Sequence, residues 1–161
     1  MKVAIANDHR GYDAKRRLMP LLKKLGHEIE DFGSDTPSAV DYPDYAAPVA
    51  RAVAKNTADV GILMDGSGIG MSIAANKFCG IRAALVHDEV TARRAREHNH
   101  CNVLCLGTDL LSEDQIRQIV EIFLSTGFAD GRHTKRIEKL AEIEREQHGQ
   151  GGPGHGAASK A

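Results

Sequence analysis

Residues 60–70 read Val60-Gly61-Ile62-Leu63-Met64-Asp65-Gly66-Ser67-Gly68-Ile69-Gly70, and this stretch decides the fold. Val60 to Met64 is a short run that is apolar on both faces, as in a strand of a parallel sheet covered by helices on each side. Three glycines in five positions follow, and then a helix over Met71 to Lys77. The first turn of such a helix offers unpaired N–H groups and about half a unit of positive charge. Strand, glycine turn and helix in that order make one step of a βα repeat.

The same step recurs on either side. Strands are predicted at Val3–Ala6, Glu28–Phe32, Ile81–Val86 and Asn102–Leu106, with starts roughly 20 to 30 residues apart, the length of a βα unit. Ile116, Ile119, Val120, Phe123 and Leu124 form a wide helical stripe within Gln115 to Leu124. Ala14, Leu18, Leu21, Leu22 and Leu25 form another before Gly26, a C-terminal stop, with Pro20 predicted to kink it. In the next helix Asp41 reads as a cap, Pro43 suits the first turn, and Ala46, Val49, Ala50 and Val53 make the buried face, with Pro48 a second interruption. A last helix, His133 to Gln147, carries only the narrow stripe Ile137, Leu140, Ile143 and needs this domain or a partner subunit to hold it. The expectation is a single α/β domain over 1–148, a three-layer α/β/α sandwich of five parallel strands plus a C-terminal helix. Residues 149–161, rich in glycine, read as a disordered tail.

Composition narrows the function classes. The 161 residues are 42% apolar and 27% charged, ordinary for one globular domain. Twenty-one basic against twenty-two acidic side chains leave a net charge of -1, so no global field draws nucleic acid or anionic lipid. No apolar run approaches the roughly 20 residues of a membrane span, and Asn7-Asp8-His9 comes too early for a signal peptide, so a cytoplasmic protein is expected. Cys79, Cys101 and Cys105 read as reduced packing residues.

Ligands of open parallel sheets bind beyond the carboxyl ends of the strands. Asn7-Asp8-His9, Asp65 to Gly70, His87-Asp88 and Gly107-Thr108-Asp109 all fall there. The glycine loop suits an oxyanion. A dinucleotide fingerprint would place a glycine where Met71 stands and would normally follow the first strand, so NAD binding is disfavoured. An acid beside an anion-stabilising loop suits proton abstraction next to a carbonyl, with Asp65 as base and Ser67 as a hydrogen-bond donor. A helix-capping aspartate and an ordinary loop serine are the plain alternatives for these two. His98-Asn99 sits at the opposite edge of the sheet and reaches such a site only in a neighbouring subunit, the plain alternative being a structural histidine whose charge suits a helix C-terminus. Arg132, His133 and Arg136 form a compact cationic group suited to phosphate, or else a solvated helix start.

These residues resemble the type B ribose 5-phosphate isomerases and the related galactose 6-phosphate isomerases. The resemblance spans about residues 2 to 147. It rests on Asp8-His9-x-Gly11-Tyr12, Asp41-Tyr42-Pro43, Gly66-Ser67-Gly68-Ile69-Gly70, Ile73-Ala74-Ala75-Asn76-Lys77, Gly80-Ile81-Arg82-Ala83, Arg96-Glu97-His98-Asn99 and Gly131-Arg132-His133. It implies a Rossmann-like aldose–ketose isomerase for a small phosphosugar, without metal or other cofactor, forming a homodimer or homotetramer with shared sites. It further implies that His98 opens the sugar ring, helped by Asp8. Gly66, Gly68 and Gly70 belong to the anion hole, His9, Arg132, His133 and Arg136 to the phosphate region, and Tyr42 and Asn99 to the sugar site.

Two positions depart from the family pattern. The base there is commonly a cysteine at position 65 or a glutamate at position 71, where this chain has Asp65 and Met71, so Asp65 inherits the proton transfer. Asp109 stands where a phosphate-binding arginine is usual, and an acid there repels a phosphate dianion. Readings kept beside the isomerase are a paralogue acting on a tetrose, hexose or unphosphorylated sugar, and a non-catalytic sugar-phosphate-binding regulator. A receiver domain using Asp8 and Asp65 lacks the lysine expected after the fifth strand, and a metal hydrolase using Asp8, His9, His87 and Asp88 lacks ligand spacing.

Overall fold

The structure is a computed structural model that describes residues 1–149. Five parallel strands, β1 (Lys2–Asn7), β2 (Glu28–Asp31), β3 (Val60–Asp65), β4 (Ala83–Leu85) and β5 (Val103–Gly107), lie in the order β2-β1-β3-β5-β4. Between and after them run α1 (Tyr12–Lys24), α2 (Tyr42–Ala54), α3 (Ile69–Ala75), α4 (Glu89–Glu97), α5 (Glu113–Ser125) and α6 (Thr134–Gly149), the last preceded by a 3-10 turn at Gly131–His133.

Alternation along the central strands separates two cores. Val3, Ile5, Ile62, Met64, Leu104 and Leu106 face α1, α4 and α5, against Leu18, Leu22, Ala92, Ile119 and Phe123. Ala4, Ala6, Leu63, Val103 and Cys105 face α2 and α3, against Val49, Ala50, Met71 and Ala75. β1 and β3 are buried on both faces apart from Lys2, which makes the domain a three-layer α/β/α sandwich. On the α2 side the sheet is lined by small residues, and a Cβ at Gly61 would lie 2.7 Å from Val49 Cγ1, so α2 sits close.

Several expected boundaries shift. α1 and α2 run through Pro20 and Pro48. α1 stops where Gly26, at φ +80°, allows the chain to turn, with Gly26 N–H donating to Lys23 O and His27 N–H to Leu22 O. Asp41 stands at the N-cap of α2 without a side-chain cap bond. The fourth strand has three residues rather than the six expected. Ile81 N–H is drawn into a turn by Phe78 O, and Arg82 N–H donates to the Asn102 side chain. Of the cysteines, Cys101 and Cys105 are buried, while Cys79 is exposed rather than a packing residue. Burial raises the Cys101 thiol pKa to about 11 and that of Cys105 further still, so both stay protonated. No helix is long and apolar enough to cross a membrane among the described residues. The proposed tail falls outside the described residues, except that α6 extends to Gly149.

Candidate active site

The strand order reverses between β1 and β3, and the crevice at such a switch point is where α/β sheets bind ligands. Asn7 pairs with Met64 in register and Asp8 N–H donates to Met64 O at 3.0 Å, so Asp8 and Asp65 stand side by side. Both are buried, at 6% and 5% exposure. Asp8 Oδ1 accepts the N–H groups of Arg10 and Gly11, while Oδ2 faces His9 Nδ1 at 3.8 Å.

Asp65 is held by the loop it introduces. Its Oδ1 accepts the N–H groups of Ser67, at 2.9 Å, and Gly68, and Oδ2 accepts Met71 N–H at 3.1 Å. Gly68, not Asp65, is the N-cap of α3, yet Asp65 reaches the first turn from the strand end, so that three N–H groups expected to face an external anion face its carboxylate instead. A carboxylate has about four lone-pair positions, so three donors leave one on Oδ2 for a proton. Ile69 N–H donates to Ser67 Oγ. For an oxyanion this leaves the Ser67 hydroxyl hydrogen and the N–H groups of Gly66 and Gly70, which find no acceptor among the described residues. Tyr42 lies against this spot, since a Cβ on Gly70 would come within 2.8 Å of its ring. Met71 is fully buried, so no acid enters from that position.

Gly68 is required where it stands. Its φ is +78°, and an added Cβ would strike Leu85 Cδ1 and approach Gly107 N to 3.1 Å. Gly68→Ala is expected to cost about 2–4 kcal/mol, combining the left-handed penalty with overpacking. Urea unfolding should show this as a lower midpoint with unchanged slope.

Asp109 does not face an incoming anion unpaired. Arg10 binds it with two bonds, Nε to Oδ2 at 3.1 Å and Nη2 to Oδ1 at 2.8 Å. Arg10 was not singled out by sequence reasoning, although its place directly after Asp8-His9 put it at the same strand end. His87 is exposed, and Asp88 is occupied in a capping box with Thr91, which holds its carboxyl below the usual range and takes it out of the site.

The remaining candidates lie elsewhere in the subunit. His98 ends α4, before β5, while Asp65 ends β3, so at least a strand length of about 15 Å separates the two edges. His98 stacks on His133 with ring centroids 4.3 Å apart, and Arg132 Nε approaches His133 Nε2 at 3.5 Å. Arg136 is exposed one turn further along α6, and Asn99 is exposed at the end of α4. A groove of about 540 Å³ beside β4 is lined by Asn99, Arg82, Leu85 and Leu140.

Burial lowers the His133 pKa below its ordinary 6.5, reinforced by the facing His98, Arg132 and Arg136 and opposed by Glu97. His27 and His100 are lowered by burial too. The folded chain then binds these protons less tightly than the unfolded chain. Their contribution is fully present above about pH 6.5 and is lost as pH falls below it. Tm should therefore drop between about pH 7.5 and 5.5, and drop less in His133→Gln. Parallel Tm profiles for the two proteins would contradict this.

A family model described as Ribose/Galactose Isomerase matches residues 3–140. A putative sugar phosphate isomerase of Bacillus subtilis is 48% identical over 145 residues, 89% of this chain and 97% of that protein. Ribose-5-phosphate isomerase B of Escherichia coli is 39% identical over 147 residues, 91% of this chain and 99% of that one. Among solved structures, ribose-5-phosphate isomerase B of Clostridium thermocellum aligns with a TM-score of 0.89 at 45% identity, covering 91% of this chain and 99% of that one. The Mycoplasma genitalium enzyme with bound ribulose-5-phosphate aligns at 0.87 and 41% identity, covering 90% and 97%.

Proposed function

The chain belongs to the ribose/galactose isomerase family, and from that premise we propose that it interconverts ribose 5-phosphate and ribulose 5-phosphate through an enediolate. The observation that carries the reading is the pair of buried carboxylates, Asp8 and Asp65, on adjacent strand ends beside the Gly66–Gly70 loop. Asp65 removes the proton from C2 of the open-chain aldose and delivers a proton to C1, while the C2 hydroxyl proton passes to O1, so that carbonyl and hydroxyl exchange places without a metal or other cofactor. Negative charge moves from the carboxylate to the substrate oxygen in that step. The Ser67 hydroxyl and the N–H groups of Gly66 and Gly70 are the donors suited to receive it, and the start of α3 adds its partial positive charge.

Ring opening precedes this step, with His98 and Asp8 as the groups that move protons to and from the ring and anomeric oxygens. His98 acts from a second copy of the chain, because the two edges of one sheet are too far apart for it to meet Asp65 in the same subunit. Asn99, Arg132, His133 and Arg136 come with it, the cationic three towards the phosphate, while His9 and Tyr42 belong to the Asp65 side. A homodimer, alone or as half of a homotetramer, is the smallest assembly that completes a site. Leu140 and Ile143 on α6 are exposed in one subunit, which fits a helix that packs on another. Reduced thiols and the absence of a basic field fit a cytoplasmic enzyme of carbohydrate metabolism.

The test is deuterium incorporation at C2 of ribose 5-phosphate in D2O, followed by proton NMR. Exchange together with appearance of ribulose 5-phosphate is the expected result. A protein that binds the sugar phosphate but neither exchanges nor isomerises it would instead be a regulator.

A further inference from the structure

Arg10 crosses from the end of β1 to the end of β5, over the loop that leaves β3. The crossing is possible because Gly66 has no side chain. A Cβ there would stand 2.8 Å from Asp109 Oδ2 and 3.5 Å from Arg10 Cγ. The backbone supports both ends of the bridge: Arg10 N–H donates to Asp8 Oδ1, Thr108 Oγ1 donates to Arg10 O, and Asp109 N–H donates to Gly66 O. Asp109 takes the Nε–H and one Nη2–H, which fixes the plane of the guanidinium. The other three N–H groups find no acceptor among the described residues, and the side chain is 57% exposed.

Charge says what those free donors are for. Asp8, Asp65 and Asp109 make this end of the sheet acidic, and a sugar phosphate entering with two negative charges meets three carboxylates. With Asp109 neutralised by Arg10, the outer edge of the bridge presents two nitrogens in the spacing that phosphate oxygens accept. We propose that Arg10 is a phosphate-binding, specificity-determining residue of this site, and that Asp109 is the positioning residue that aims its guanidinium. The inference rests on the isomerase reading for the identity of the phosphate's carrier. The bridge lies beside the glycine loop, on the same strand-end face as Asp65. Asp109 thus excludes nothing by its own charge, and the pair favours phosphorylated over unphosphorylated sugars.

The experiment titrates inorganic phosphate into the full-length wild type, Arg10→Met, Arg10→Lys and Asp109→Asn by calorimetry, and measures turnover of ribose 5-phosphate and of ribose by each. Arg10→Met should weaken phosphate binding at least tenfold and raise KM for ribose 5-phosphate by a similar factor, a larger change than any in kcat, and should narrow the preference for ribose 5-phosphate over ribose. Arg10→Lys should recover part of the loss. Asp109→Asn should weaken phosphate binding by less, with KM rather than kcat affected, which a merely structural role would not produce. Phosphate affinity in Arg10→Met within twofold of wild type overturns the proposal. Wild type that binds phosphate through Arg10 yet leaves ribose 5-phosphate unchanged sinks the isomerase reading and leaves the anion site standing.

Discussion

Asp65→Asn should lower kcat for ribose 5-phosphate isomerisation by about 10²–10⁴-fold, the usual contribution of a positioned base. The substitution is nearly isosteric but acts twice. It removes the group that takes the proton, and it puts an amide NH2 where a carboxylate oxygen now meets an N–H. An Asn oxygen placed like Oδ1 still accepts from Ser67 and Gly68, but its NH2 then faces Met71 N–H, donor against donor. That mismatch should cost about 1–3 kcal/mol of stability. Loss of turnover alone would therefore not separate a base from a clamp. Asp65→Cys separates them, because a thiolate can take a proton but cannot accept three N–H groups in two directions. If Asp65 is the base, Cys restores C2 deuterium exchange well above the Asn variant, in line with the cysteine that related enzymes are expected to carry at this position. If Cys and Asn are equally inactive while both bind phosphate, Asp65 holds the loop and the base lies elsewhere, with Asp8, whose Oδ2 faces His9 and accepts no N–H of the loop, the next carboxylate to examine.

That ambiguity shows where sequence reading stops. The layers could be read because Val60 to Met64 and Val103 to Leu106 are apolar on both faces, and only a sheet covered twice buries such runs. The strand-end location of the site followed from the same repeat. The work done by Asp65 could not be read in that way. An aspartate before a glycine loop has the same spacing whether its oxygens point at the loop's N–H groups or at a ligand, and side-chain torsions decide between them. Arg10 and Asp109 are likewise 99 positions apart, on strands separated by a third, so their bridge depends on strand order and on the missing side chain of Gly66. His87-Asp88 went the other way. A polar pair at a strand end looked reactive, but Asp88 serves the first turn of α4. Helix starts and ligand sites draw on the same residue types, because both satisfy unpaired N–H groups.

Mixing two inactive variants should restore activity. His98→Gln, which keeps a polar side chain but cannot exchange protons, is expected to lose about 10²–10⁴-fold in turnover of the cyclic substrate, as Asp65→Asn does at the carbon step. If each site takes Asp65 from one subunit and His98 from the other, a hybrid dimer of the two variants has one site with both defects and one with neither. Random redistribution makes half of the dimers hybrid, each with one working site of two, so the mixture should recover about a quarter of wild-type activity. The same arithmetic gives no recovery if both residues serve one subunit's site, because every site then carries one defect. The outcome turns on the sheet itself. His98 precedes β5 and Asp65 ends β3, so in one chain they occupy opposite edges, and a rearrangement of side chains cannot span a strand length of about 15 Å. Co-expression with two affinity tags, isolation of the doubly tagged dimer and assay of that species should give about half of wild-type turnover per dimer. A doubly tagged dimer as inactive as its parents would mean that ring opening is performed from within the subunit, and that the stacked His98 and His133 serve only to anchor the last helix.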